Sequence, residues 1–320
     1  MALPPLVSSM RLWILLGLVL GLVVGPIDGL DVATLLIIAL VIQMSAAMEG
    51  MSISKENLGR HKRDLLINIV CCYGVNTLFT LAAGLIFLNW HPEIWYGWVM
   101  LAAVPCSVSV ITATLYLRGD VESSVISVTV VHLLALLITP LMTRALIGDA
   151  ISPVEILKYI LLFIAVPMGY VVLMRNRPMN TDVKTIVINA TMFALVFLSF
   201  SKYRDVLASE PWLVALILLL CILRIFLIST FMIFSVRAGK TERRDGVTYA
   251  SMAVWKNSSL ALTLAIVLLP GMTEVAIPAA VSLVVERVWF VFMEQYIERL
   301  WPDYFDMPAP LIKKKWYQRF

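Results

Sequence analysis

The sequence predicts an all-α polytopic membrane protein. Its expected architecture is about ten transmembrane helices in two inverted five-helix repeats, with helices four and nine broken and crossing. Three observations predict this. The 320-residue chain is 61% hydrophobic and 14% charged, with a mean hydropathy of +0.91, whereas a soluble domain is ~25% charged. Its apolar runs alternate with short loops whose basic residues fall on one side. Its intramembrane polar residues recur in the same order in each half.

A span needs ~20 mostly apolar residues. By that measure the spans are 10–25, 31–50, 64–88, 96–117, 121–147, 153–174, 184–202, 211–236, 244–269 and 272–297. The first run follows Arg11 and lacks a small-residue cleavage site, so it reads as a span and not as a signal peptide. Only Pro270-Gly271 separates the last two runs, which together are too long for one crossing. Cys71, Cys72, Cys106 and Cys221 all lie within apolar runs, which argues against an extracellular disulfide framework. Adjacent Cys71 and Cys72 point in different directions on a helix and read as packing residues.

Loop charge sets orientation. Lys55, Arg60, Lys62, Arg63, Arg118, Arg175, Arg177, Lys184, Arg237, Lys240, Arg243, Arg244 and Lys313 to Lys315 share one side if the amino terminus is cytoplasmic. The other side holds Asp28, Asp31, His91, Glu93 and Asp149, with Lys202 and Arg204 against the trend. Both termini are therefore expected in the cytoplasm. The net charge of +4 is spread over these loops and reads as a topology signal, with no nucleic-acid surface. Residues 1–300 are expected to form one transmembrane domain. Its panel helices lie in 10–50 and 153–202, its core helices in 64–147 and 211–297, and 301–320 is a short cytoplasmic tail.

Polar residues sort by span. Spans one, two, six and seven carry few, chiefly Gln43, Glu49 and Asn189. Spans three to five carry Asn76, then Cys106, Ser107, Ser109, Thr112 and Thr114, then Ser124, Ser127, Thr129 and His132. Spans eight to ten carry Arg224, then Lys256, Asn257, Ser258 and Ser259, then Glu286 and Arg287. Two apolar helices followed by three polar ones, twice over, give two halves with an odd number of spans each, so the second half is inverted. Many secondary transporters have this layout, with a midplane site where broken helices meet. Pro105 marks the break in span four, and Lys256-Asn257-Ser258-Ser259 the break in span nine. A charge at the bilayer centre costs roughly 2.5–3.5 kcal/mol on insertion scales, so Lys256 marks a functional site by default. Snorkelling to an interface is the bland alternative, and Lys256 sits too near the middle of its run for that. Arg224 and Glu286 are cheapest as an ion pair, with Arg287 pointing elsewhere to meet another acid or a substrate. His132 satisfies a local carbonyl in preference to shuttling protons.

These residues resemble the bile acid:sodium symporter superfamily, which includes the arsenite-efflux permeases. The resemblance rests on Val104-Pro105-Cys106 through Thr114 to Arg118-Gly119-Asp120, on Thr139-Pro140 ending span five, on Lys256-Asn257-Ser258-Ser259-Leu260-Ala261, and on Val285-Glu286. It covers nearly the whole chain. It implies a ten-span transporter, and the departures from it are as informative. Where sodium-coupled members carry a Ser-Asn pair, a Glu and a Gln as sodium ligands, this chain has Val110, Ile111, Met252 and Lys256; Ser124 and Asn257 survive. Hydrocarbon side chains ligate no sodium. Lys256 therefore reads as a fixed or titrating substitute for the bound cation.

The function expected is secondary active transport of a small organic anion across the cell membrane, independent of sodium. The core would rock against the panel, with Thr112, Thr114, Lys256, Asn257 and Ser258 around the solute. Ser124, Asn76, Arg224, Glu286 and Cys106 complete the candidate set. An alternative is arsenite efflux, because Pro105-Cys106 and Glu286 match the permeases; their acidic residue in span nine is missing here. A membrane-embedded enzyme using His132 or Lys256 is a rival of another class, but the sequence has neither His/Glu metal spacing nor a Gly-x-Ser-x-Gly motif. A non-transporting sensor would need an output domain. No catalytic residue, metal or cofactor is expected. The expected partners are the anionic substrate, the lipid bilayer and, if Lys256 titrates, a proton.

Overall fold

In a bilayer the backbone has no water to bond, so each apolar run must satisfy its own N–H and C=O groups as a helix. The structure, a computed structural model, describes residues 7, 9–49, 59, 61–148, 151–272 and 274–301. Lys55, Arg60, Asp149, Lys313 to Lys315 and the tail beyond Trp301 lie outside the described residues.

In chain order the helices are α1 (Met10–Val24), α2 (Val32–Met48), α3 (Lys62–Phe87), α4 (Pro92–Ala103), α5 (Val110–Tyr116) and α6 (Val121–Ile147). They continue with α7 (Pro153–Leu173), α8 (Thr181–Ser209), α9 (Pro211–Ala238), α10 (Arg243–Val254), α11 (Ser258–Leu268) and α12 (Ile277–Leu300). Five of them, α3, α6, α7, α8 and α9, are long and apolar enough to cross a membrane by length and composition. The ends follow local chemistry. Asp120 caps α6 by accepting from the amides of Glu122 and Ser123 at 3.0 and 3.2 Å. Asn180 caps α8 through the Asp182 amide at 2.8 Å. Pro92, Pro153 and Pro211 open α4, α7 and α9, where a missing N–H costs nothing. Within α3, Val70–Asn76 is π-helical, a feature the apolar pattern did not indicate.

Packing sorts the helices. α8 lies along α1 and α2, and α7 packs on α2; α3 to α6 pack with α9 to α12. Contacts of α6 with α7 and of α2 with α11 join the two groups. Leu15, Leu16 and Val23 of α1 and Leu219, Ile222 and Phe226 of α9 face outward, as lipid-facing side chains would.

Close approaches depend on glycine. A Cβ on Gly97 of α4 would sit 2.2 Å from the Val275 carbonyl oxygen, at the foot of α12, and 2.9 Å from Pro278. Backbone cannot yield as a flexible side chain does. Gly97→Ala should therefore lower stability by about 1–3 kcal/mol, the usual cost of overpacking, read as a fall in the thermal unfolding midpoint. Gly169, which has nothing within 4 Å of an added Cβ, is the control and should tolerate alanine.

Candidate functional site

The site is built from two interruptions. Between α4 and α5 the chain leaves the helix at Val104-Pro105-Cys106, and between α10 and α11 at Trp255-Lys256-Asn257. The two extended stretches cross and pair. Cys106 and Lys256 form an antiparallel bridge, with the Ser107 amide donating to the Trp255 carbonyl at 3.1 Å and the Asn257 amide to the Pro105 carbonyl at 2.9 Å. Proline fits here because it carries no N–H to be orphaned.

Each break frees carbonyls, and nearby side chains satisfy them. At the end of α4 the Lys256 ammonium donates to the carbonyls of Ala102 and Val104, both at 2.9 Å, and to the Thr77 hydroxyl at 3.2 Å. Thr77 in turn donates to Ala102 at 3.0 Å, and Thr139 donates to the Ala103 carbonyl at 2.8 Å. The Tyr73 ring centroid lies 5.0 Å from Nζ. At the end of α10, the Asn76 amide donates to the carbonyls of Ala253 and Val254 at 2.5 and 3.1 Å. Carbonyl-bearing helix ends carry partial negative charge, so an ammonium at the α4 end is electrostatically matched. Three acceptors meet the three N–H bonds of a charged lysine.

A second network lies beside it. Arg224 of α9 pairs with Glu286 of α12 at 2.8 Å and donates to Ser282 at 2.7 Å and to Thr80 at 3.0 Å. Thr80 donates to Asn76 at 2.9 Å, and Ser258 donates to the other Glu286 oxygen at 2.8 Å. The anticipated Arg224–Glu286 pair thus links α3, α9, α11 and α12. His132 also meets a local carbonyl, with Nδ1 2.7 Å from the Val128 oxygen.

A cavity of about 410 Å³ opens on one side of the crossing. One wall holds Ser107, Ser109, Ile111, Thr112, Asn257 and Arg287; the facing wall, from α2 and α8, holds Gln43, Met44, Lys184, Ile188 and Met192. Arg287 donates to Ser109 at 2.9 Å, and Ser109 is 2.7 Å from the Ser107 hydroxyl. Glu49 accepts from the Met179 amide at 2.8 Å and lies 3.8 Å from Lys184. Asn257 caps α11 through the Leu260 amide at 3.1 Å, and its amide nitrogen touches the Met44 sulfur at 3.6 Å.

This geometry redistributes the expected residues. Thr112 and Asn257 reach the cavity. Lys256, Thr114 and Ser258, expected around a solute, do not: Lys256 turns toward the α4 carbonyls, Thr114 is fully buried, and Ser258 is committed to Glu286. Asn76, Arg224 and Glu286 form the network behind the wall. The Ser124 hydroxyl is spent on the Val121 carbonyl at 2.8 Å. Cys106 is fully buried, its thiol 3.8 Å from the Met252 sulfur and away from the cavity wall. Sequence reasoning left out Ser107, Ser109 and the Glu49–Lys184 pair as cavity residues, whereas it offers Arg287 another acid or a substrate, and Arg287 lines the cavity. Adjacency was the available signal for Arg287, since it cannot share a direction with Glu286 on one helix.

A family model described as the SBF-like CPA transporter family matches residues 7–301. No curated protein matches the chain. The chain belongs to the SBF-like CPA transporter family, and the match spans nearly its whole length, as the resemblance carried by its short motifs implies. Membership implies a membrane transporter with a small-molecule substrate and a lipid environment.

Proposed function

We propose that this member of the SBF-like CPA transporter family is a secondary transporter of a small organic anion and needs no sodium. The observation that carries the reading is the Lys256 ammonium, which takes up the freed carbonyls of Ala102 and Val104 and stands at the position where the resemblance places a sodium-ligating Gln. A sodium ion would need several oxygen ligands there. It would also meet a positive charge, worth about 4 kcal/mol of repulsion at 4 Å and intermediate dielectric. The full set of three acceptors favours a lysine that stays charged as a fixed substitute over one that titrates.

Arg287 supports the anionic substrate. Its guanidinium lines the cavity, with the hydroxyls of Ser109 and Ser107 in line behind it. The rest of the lining is mostly apolar, with Met44, Met192, Ile111 and Ile188, as ligand pockets with a few placed polar groups are. The packing groups α1, α2, α7, α8 and α3 to α6 with α9 to α12 suit a panel and a rocking core of ten spans in two inverted repeats. The cavity reaches Met179 and Lys184 beside the basic loop of Arg175 and Arg177. With both termini in the cytoplasm of a cell-membrane protein, that loop faces inward and the cavity is open to the inside. The burial of Cys106 argues against arsenite efflux.

Reconstituted protein should take up radiolabelled toluenesulfonate, a permanently ionised anion with an apolar body. Arg287→Gln should cut the rate by about 10–100-fold, the worth of a charge-assisted hydrogen bond, while leaving the thermal midpoint nearly unchanged. Wild-type rates in the Arg287→Gln protein would remove the anion site from this cavity.

A further inference from the structure

We infer that the protein is an obligate exchanger, which trades one organic anion for another and does not reorient when empty. This rests on the anion reading above and adds the mode of transport. Around the crossing, three cations stand against one carboxylate. Arg224 is paired with Glu286 at 2.8 Å. Lys256 is compensated by the carbonyl end of α4. Arg287 has the Ser109 hydroxyl at 2.9 Å, and no acidic side chain among the described residues forms an ion pair with it. The acidic residue among the cavity's described lining is Glu49. It is already engaged by the Met179 amide and Lys184 on the facing wall.

Arg287 is half-buried and lines the cavity, so in the open form its guanidinium is within reach of water that enters there. Alternating access requires the cavity to close before it reopens on the other side. Closure expels that water, and an unpaired guanidinium in a dry core is strongly disfavoured. A bound anion supplies the missing counter-charge at that step. The loaded form therefore crosses and the empty form stalls, so each anion that leaves must be replaced by another for the carrier to return.

The test uses the full chain in proteoliposomes. Uptake of labelled toluenesulfonate is compared between vesicles preloaded with unlabelled toluenesulfonate and vesicles holding buffer alone. Preloading should speed initial uptake by on the order of tenfold or more, the factor set by even a modest barrier difference. Equal rates would overturn exchange and leave the anion reading intact. No uptake in either case would overturn the anion reading and the inference with it.

A second readout needs no substrate. The native cysteines Cys71, Cys72, Cys106 and Cys221 are buried, so Ile188→Cys on the cavity wall can be followed with a membrane-impermeant maleimide. Applied from the basic-loop side to empty protein, the reagent should label Ile188→Cys rapidly and completely. Adding Arg287→Gln should slow labelling severalfold, because a core relieved of that charge crosses empty. Identical labelling in both backgrounds would contradict the role given to Arg287.

Discussion

Replacing Lys256 with methionine will destabilise the protein by about 3–5 kcal/mol and abolish transport. Methionine keeps the unbranched stem out to the ε position and drops only the ammonium, so little packing is lost. The hydrogen bonds are lost. The carbonyls of Ala102 and Val104 and the Thr77 hydroxyl, all buried, lose their shared donor. Thr77 still donates to the Ala102 carbonyl, so the Val104 carbonyl is the acceptor left without its donor; an unpaired buried acceptor costs about 1–3 kcal/mol, and the negative end of α4 loses its counter-charge. Lys256→Gln should fall between methionine and wild type in stability, since an amide can donate to some of these acceptors. It should still lack transport and should not acquire sodium dependence, because Val110, Ile111 and Met252 supply no oxygen. Chemical unfolding in micelles alongside uptake in proteoliposomes checks both halves. A Lys256→Met protein of wild-type stability would show that the ammonium is not needed at the crossing.

Glu286→Leu should cost a similar amount, about 3–5 kcal/mol, because it strands a buried guanidinium. Arg224 would lose its only carboxylate among the described residues, and Ser258 and Ser282 would lose their acceptor. Adding Arg224→Met should restore much of the loss, since a buried ion pair is often replaceable by well-packed apolar side chains. A double-mutant cycle gives the coupling directly. Additive losses would mean that Arg224 and Glu286 act separately. The pair and Arg287 should thus part company: losing the pair lowers stability, whereas Arg287→Gln lowers uptake.

Much of this arrangement is legible in the sequence, and the residues show why. Pro105 and the polar pair Lys256-Asn257 mark the two breaks, although proline alone does not decide it, since Pro140 and Pro167 lie inside α6 and α7. Arg224 and Glu286, both deep within apolar runs, have few affordable states other than a pair. His132, with no carboxylate near it in sequence, meets its own helix carbonyl. Direction is what the sequence hides. Lys256 sits on an extended stretch whose side chains alternate, so its position at the break does not say whether it faces the cavity or the α4 carbonyls. Register decides that, and register comes from the Cys106–Lys256 bridge. Thr114 and Ser258 are turned away from the cavity for the same kind of reason: one helix face lines it and the other packs. Glu49 follows α2 and Lys184 lies in the first turn of α8, 135 residues apart in sequence, and only packing brings them to 3.8 Å. The π-helical segment of α3 has no counterpart in the hydropathy pattern.

Whether Lys256 stands in for a coupling cation is tested most directly by toluenesulfonate uptake into preloaded proteoliposomes, with sodium replaced by potassium and then by choline at fixed pH. A fixed ammonium at the α4 carbonyls predicts the same initial rate in all three salts. Uptake that requires sodium and saturates with it would contradict the assignment of Lys256 as the cation's replacement.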